Sequence, residues 1–239
     1  MLRKETNGFS YDFYEPKDVK KDISIVLFHG WGSTVESQKE LATRLTKHGY
    51  SVIVPEIIYH DDRQPLGNYL SKEIKYAYFW KTVMVSIDEA SAFYKLLNIP
   101  TENLVLMGIS MGGFIVNGTI AAHDQFAGLV NINGSGSFVL SEQLFRVMDD
   151  QPEMTDKEKQ LLENYDPIKK GRLKAPILML HGTQDTQVSI EGQKNYYTYL
   201  TEQLRKTNVF FNEYSDINHT ISDEMIEDLI QWLNQLTLS

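Results

Sequence analysis

The stretch Leu104-Val-Leu-Met-Gly-Ile-Ser-Met-Gly-Gly113 decides how this chain reads. The apolar run Leu104 to Met107 predicts a buried strand that stops at Gly108 and restarts as a helix behind Ser110. Gly108 and Gly112 flank that serine as G-x-S-x-G, and residues without side chains let the backbone turn sharply there. Such a turn lifts the Ser110 hydroxyl clear of a sheet and leaves the Met111 backbone N–H free to bind an oxyanion. Three fixed positions in five recur by chance. The strand before and the helix after give the motif its weight.

Outward from this stretch, strand and helix signals alternate. Ile23 to Phe28 predicts a strand ending at His29-Gly-Trp-Gly32, followed by a helix from about Ser33 to Lys47 with Gly49 as its stop. Ser51 to Pro55 is the next strand. An irregular segment then leads into a helix ending near Leu97. After the Ser110 helix come the strand Gly128–Ile132, a polar and partly helical insertion at about 134–174, and the strand Pro176–Leu180. A helix from about Ile190 to Leu204, the strand Val209–Tyr214 and a helix from Asp223 to Leu236 complete the pattern. Continuous apolar strands predict a mostly parallel sheet with helices on both faces, an α/β fold. Reactive groups then gather at the carboxyl ends of the strands.

Composition narrows the possibilities. A chain of 239 residues, 42% hydrophobic and 23% charged and without a Gly/Ser/Pro-rich linker, predicts a single domain over 1–239. A net charge of -9 argues against a nucleic-acid binder, which needs clustered Lys and Arg. Without cysteine there are no disulfides, thiolate metal sites or cysteine nucleophile. The first residues lack the apolar stretch of a signal peptide, and no run approaches the roughly 20 apolar residues of a membrane helix. The expectation is a soluble cytoplasmic protein without membrane insertion, its oligomeric state open.

A serine hydroxyl is barely nucleophilic at neutral pH and needs a base, which a histidine supplies when a carboxylate orients it. Six histidines compete. His48 and His123 lie near helix ends, His29 and His181 end strands and suit loop support, and His60 precedes the serine in the irregular segment. His219 follows the last strand and is the candidate base. For the acid, Asp185 follows strand Pro176–Leu180. Its rival Asp216, three residues before His219, suits a turn former. The chain order Ser110, Asp185, His219 is that of the α/β-hydrolases.

Together, His29-Gly-Trp-Gly32, Gly108-Ile-Ser-Met-Gly112, Ala175-Pro-Ile-Leu-Met-Leu-His-Gly-Thr-Gln-Asp185 and the His219 loop resemble an α/β-hydrolase. The chain is most similar to small bacterial esterases of the dienelactone-hydrolase-like and prolyl-oligopeptidase-like groups, and Tyr165-Asp-Pro-Ile168 strengthens this over about Ile23 to Leu236. The resemblance implies an α/β-hydrolase fold and an oxyanion hole from the backbone N–H groups of Trp31 and Met111. Trp31 is otherwise a core aromatic. Two positions depart from relatives, which often carry Gly before the histidine, here Asn218, and His-Gly after the second strand, here His60-Asp61.

Substrate contacts are expected from His60 and Arg63, against the plainer reading of Arg63 as solvated or ion-paired. The insertion resembles a short helical lid in which Phe138, Leu144 and Met148 wall an acyl pocket, or else a helical cap packed on the domain. His60-Asp-Asp62 has metal-capable side chains but no second ligand group at recognisable spacing, so no metal and no cofactor are expected. The expected activity is hydrolysis of small carboxylic esters through an acyl-enzyme. A short-peptide peptidase, a thioesterase or acyl transferase, and a non-catalytic sensor are the alternatives.

Overall fold

Side chains that alternate in direction along buried strands demand cover on both faces, and this chain supplies it. The computed structural model describes residues 1–123, 125–170 and 173–236. Strands β1 (Leu2–Thr6) and β2 (Phe9–Tyr14) form a hairpin that turns at Asn7-Gly8, where φ is 47° and 80°. Then come β3 (Ser24–Phe28), α1 (Lys39–Lys47), β4 (Ser51–Pro55), α2 (Lys72–Leu97), β5 (Leu104–Ile109), α3 (Met111–Ala122) and β6 (Gly128–Ile132). The insertion contributes α4 (Phe138–Met148) and α5 (Asp156–Glu163). The chain continues through β7 (Ile177–Gly182), α6 (Ile190–Thr198), β8 (Val209–Tyr214) and α7 (Asp223–Gln235).

Among the described residues, eight strands run in the order β1-β2-β4-β3-β5-β6-β7-β8. The β1–β2 and β2–β4 pairs are antiparallel; every pair from β4 to β8 is parallel. One sheet face carries Val26, Phe28, Leu104, Leu106, Ile177 and Met179, packed with residues of α2, α3, α4 and α6. The other carries Ile25, Leu27, Val105, Met107, Leu178 and Leu180 under α1 and α7. Burial at Met225, Ile226, Leu229, Trp232 and Leu233 follows the helical i, i+3/i+4 spacing, so α7 shows the sheet one apolar stripe. By contrast α3 is buried on nearly every side, because α2 covers its outer surface.

Side chains start the helices as the sequence allows. Ser71 and Ser222 each accept an N–H bond from the first turn of α2 and α7, and Thr155 with Glu158 forms a capping box on α5. Gly49, at φ 89°, ends α1. The expected helix from Ser33 begins only at Lys39, because Ser33 N–H donates to Gly30 O and Val35 N–H to Asp61, shaping 33–35 as a loop. The helix from Ile190 is regular to Thr198 and continues as one wider turn over Tyr199–Gln203.

The insertion, whose residues 171 and 172 lie outside the described residues, follows the packed-cap alternative. The Phe138 ring lies 5.2 Å from Trp80 and 5.8 Å from Phe114, and Phe145 lies 5.6 Å from Phe79. Phe138 is therefore core rather than pocket wall, while Leu144 is half-buried and Met148 is 46% exposed. No helix among the described residues is long and apolar enough to cross a membrane.

Phe114 sits fully buried at the meeting point of α2, α3 and α4. Phe114→Ala is expected to cost about 3–5 kcal/mol in urea unfolding. Phe210→Ala, at a half-exposed position of β8, should stay within about 0.5 kcal/mol of wild type.

Candidate active site

The parallel strands β3, β5, β7 and β8 all end on one edge of the sheet, and four short segments meet there. At the end of β5 the chain turns into α3 at Ser110, whose backbone is held at φ 53° and ψ -118°. This region is costly for a residue with a side chain, by about 1–3 kcal/mol. Ser110 N–H donates to Ile132 O at 2.9 Å, and Gly113 N–H to Ser110 O at 2.8 Å. The glycines make the turn possible: a Cβ on Gly108 would lie 2.1 Å from Gly112 O, and one on Gly112 2.2 Å from Phe28 O.

The loops after β7 and β8 carry the other two groups. His219 Nε2 lies 2.8 Å from Ser110 Oγ, and Nδ1 lies 2.6 Å from Asp185 Oδ2. With the proton on Nδ1, the imidazole donates to the carboxylate and accepts from the serine hydroxyl. The Asp185 side chain is fully buried. Its Oδ1 accepts the N–H groups of Gln187 and Val188, and its Oδ2 also lies 3.3 Å from His181 Nε2. Burial pushes the Asp185 carboxyl toward its protonated form, but bonds from His181 and His219 outweigh it and hold the group well below the usual carboxylate range.

Asn218 ties these loops together. Its Oδ1 accepts from Thr186 N–H, Thr186 Oγ1–H and His219 N–H at 3.0, 3.1 and 2.7 Å. Asp216, the rival acid, is exposed at φ 60° and accepts a bond from Gln184, as a turn former does. Asn133, buried at the end of β6, accepts from Gly182 N–H and donates to Thr220 O, joining three strand ends.

The loop after β3 closes the fourth side. A Cβ on Gly30 would lie 3.2 Å from Ser110 Cβ and 3.6 Å from its Oγ, so this glycine leaves room over the hydroxyl. Trp31 follows, with its indole N–H donating to Tyr69 O at 2.8 Å. No described hydrogen bond occupies the Trp31 backbone N–H, and Met111 opens α3, where an N–H has no partner within the helix. His29 lies fully buried between Asp61, 3.1 Å from Nε2, and Gly30 O, 2.9 Å from Nδ1. Burial opposes the Asp61 charge, yet the His29 and Val35 bonds outweigh it and keep its carboxyl below the ordinary value.

Two expected substrate contacts are committed elsewhere. His60 is fully buried: its Nε2 accepts from Gly32 N–H at 3.0 Å, Nδ1 faces Ile58 O, and its ring stacks on Tyr69 and meets Trp31 edge-on. Arg63 pairs with Glu89 at 2.9 Å, donates to Glu56 O and lies over Phe9, the ion-paired alternative. Sequence reading assigned no role to Asp61, Tyr69 or Asn133. The sequence marks Asp61 by its place where relatives often carry glycine and as one of the metal-capable residues of His60-Asp-Asp62, neither of which points to the loop it holds.

Residues 66–237 match the model of the prolyl oligopeptidase family, and the chain belongs to that family. It is 25% identical over 228 residues, 87% of each chain, to the Bacillus subtilis protein named "Putative esterase YitV". The crystal structure of TT1662 from Thermus thermophilus superposes with a TM-score of 0.72 at 19% identity, covering 98% of this chain and 97% of that one. The monoacylglycerol lipase of Paleococcus ferrophilus superposes at 0.68 and 18% identity, covering 99% and 100%. The fold is that of the α/β-hydrolases, and the chain is an esterase-like hydrolase of that superfamily.

Burial, followed by the nearby His29, lowers the His60 pKa to about 4, which suits a nitrogen that must keep its lone pair for Gly32. The unfolded chain takes up this proton near pH 6.5 and the folded one only near 4. The associated stability is therefore complete above pH 6.5 and is lost as pH falls through that window. Urea titrations should show a fall of up to about 3 kcal/mol between pH 7 and 4, and His60→Gln should flatten that slope.

Proposed function

From membership of this family, we propose that the protein is a serine carboxylesterase that cleaves small carboxylic esters through an acyl-enzyme. The observation that carries the reading is the unbroken hydrogen-bonded line from Ser110 Oγ through His219 to the buried Asp185. His219 Nε2 takes the hydroxyl proton as Ser110 Oγ attacks the ester carbonyl. Asp185 fixes the ring tautomer and stabilises the cation that forms. The Trp31 and Met111 N–H groups receive the developing oxyanion, each contributing roughly 3–4 kcal/mol in sites of this kind.

Collapse of the tetrahedral intermediate expels the alcohol, which receives its proton from His219. Water, deprotonated by the same ring, then attacks the acyl-Ser110 carbonyl, and the acid leaves as Ser110 regains its proton. A single domain over 1–239, with the insertion as a fixed cap, a cytoplasmic location and a small-molecule ester as partner complete the proposal. A peptidase acting on free carboxyl termini would need a spare cation near the nucleophile, and Arg63 is held by Glu89.

Turnover of p-nitrophenyl esters from acetyl to palmitoyl tests the reading. Hydrolysis of the shorter chains is expected, falling by about 10⁴-fold or more in Ser110→Ala. Wild-type turnover in that variant would refute the nucleophile. Absence of ester turnover beside cleavage of N-acyl amino acid anilides would replace the esterase with a peptidase.

A further inference from the structure

Asp61 stands at φ 49°, a left-handed conformation that glycine adopts freely and aspartate adopts only when local hydrogen bonds support it. What holds it there is its side chain, which is only 6% exposed. Its two oxygens reach opposite ends of one loop: Oδ2 meets His29 Nε2 at 3.1 Å, and Oδ1 accepts the Val35 N–H at 2.9 Å. One carboxylate thus brackets residues 29–35. The other nitrogen of His29, Nδ1, lies 2.9 Å from the Gly30 carbonyl oxygen, which also accepts Ser33 N–H at 3.2 Å. That carbonyl and the Trp31 N–H are the two ends of one planar peptide unit. Fixing the direction of one fixes the direction of the other.

We propose that Asp61 and His29 are a positioning pair that aims the Trp31 N–H at the oxyanion, an inference that rests on the reading of Ser110 as nucleophile. The line runs from carboxylate to imidazole to carbonyl to amide and touches no reacting atom. It mirrors the Asp185–His219 pair on the other side of Ser110, but its far end orients a peptide plane instead of moving a proton. His60 steadies the same loop one residue further on, through Gly32. The strain at Asp61 is the cost of placing a carboxylate where a glycine would relax.

Donors in an oxyanion hole act in the transition state, so a misaimed one lowers kcat and leaves KM nearly unchanged. Asp61→Gly removes the carboxylate and relaxes the backbone, whereas Asp61→Asn keeps the shape and an acceptor for Val35. Asp62→Asn, a charge loss at the exposed neighbouring position, is the control and should behave as wild type. With p-nitrophenyl butyrate, kcat in both Asp61 variants is expected to fall about 10- to 100-fold with KM within about twofold. Inhibition by an alkyl trifluoromethyl ketone, whose serine adduct places an alkoxide in the hole, should weaken by the same factor. Thermal unfolding shows whether each variant is folded; if Asp61→Gly is not, Asp61→Asn decides.

Wild-type kcat in a folded Asp61→Asn or Asp61→Gly protein, with Ser110→Ala inactive, overturns the positioning pair and leaves the esterase reading intact. A lowered kcat with undiminished ketone inhibition also overturns it. Activity retained in Ser110→Ala would instead remove the premise.

Discussion

Ser110 is held where an ordinary side chain does not sit, and most of the site follows from how that is done. The turn from β5 into α3 brings the first turn of the helix so close to the end of β5 and to the end of β3 that neither Gly108 nor Gly112 has room for a methyl group. The compression forces Ser110 to φ 53° and points its hydroxyl out of the sheet edge. A strain of about 1–3 kcal/mol persists because the surrounding strands are apolar on both faces, and each fully buried Leu, Ile or Phe contributes about 1.5–3 kcal/mol. Since β7 and β8 run parallel to β5, their loops reach the same edge and deliver Asp185 and His219 to the hydroxyl.

Two buried carboxylates then organise the chemistry, each paired with a histidine. Burial opposes both charges, and hydrogen bonds outweigh burial in both cases. Asp185 accepts from two backbone N–H groups and lies against two imidazoles, so it can carry charge without solvent. Its partner His219 is partly exposed and faces a hydroxyl. The partner of Asp61, His29, is sealed and faces a carbonyl. The same pair of residue types therefore suits proton traffic on one side and fixed geometry on the other. The difference lies in what the far nitrogen meets.

What was legible in the sequence follows from how strongly neighbours dictate each residue. Strands β4, β6 and β8 read to the residue, because each is a short run rich in β-branched or aromatic residues set between turn formers. The Ser110, Asp185 and His219 order was legible because each follows a strand end. The hairpin β1–β2 was not: its strands carry Arg3, Lys4, Glu5 and Asp12 among apolar residues, and its one signal was Asn7-Gly8. His60 and Arg63 read as substrate contacts because a sequence shows a loop near the site without showing which way it folds. Here the loop turns inward, so His60 meets Gly32 and Arg63 meets Glu89. Along α4, apolar residues occur on every side, and only the packing distinguishes buried Phe138 and Phe145 from exposed Val147 and Met148.

That packing bears on how a substrate reaches Ser110. Phe138 and Phe145 belong to the same buried cluster as Phe114, which stands one turn along α3 from Ser110. Swinging α4 away would expose both rings at a cost of about 3–6 kcal/mol, before counting the aromatic contacts to Phe79 and Trp80. It would also break the bond from Trp80 Nε1 to Glu142, which Arg146 holds from its other oxygen. An opening that expensive would be populated less than about one part in a hundred, too rarely to be the ordinary route for substrate. The space beside Ser110 is therefore bounded by residues already lining the sheet edge, and above all by the loop around Trp31 that Asp61, His60 and Tyr69 hold in place.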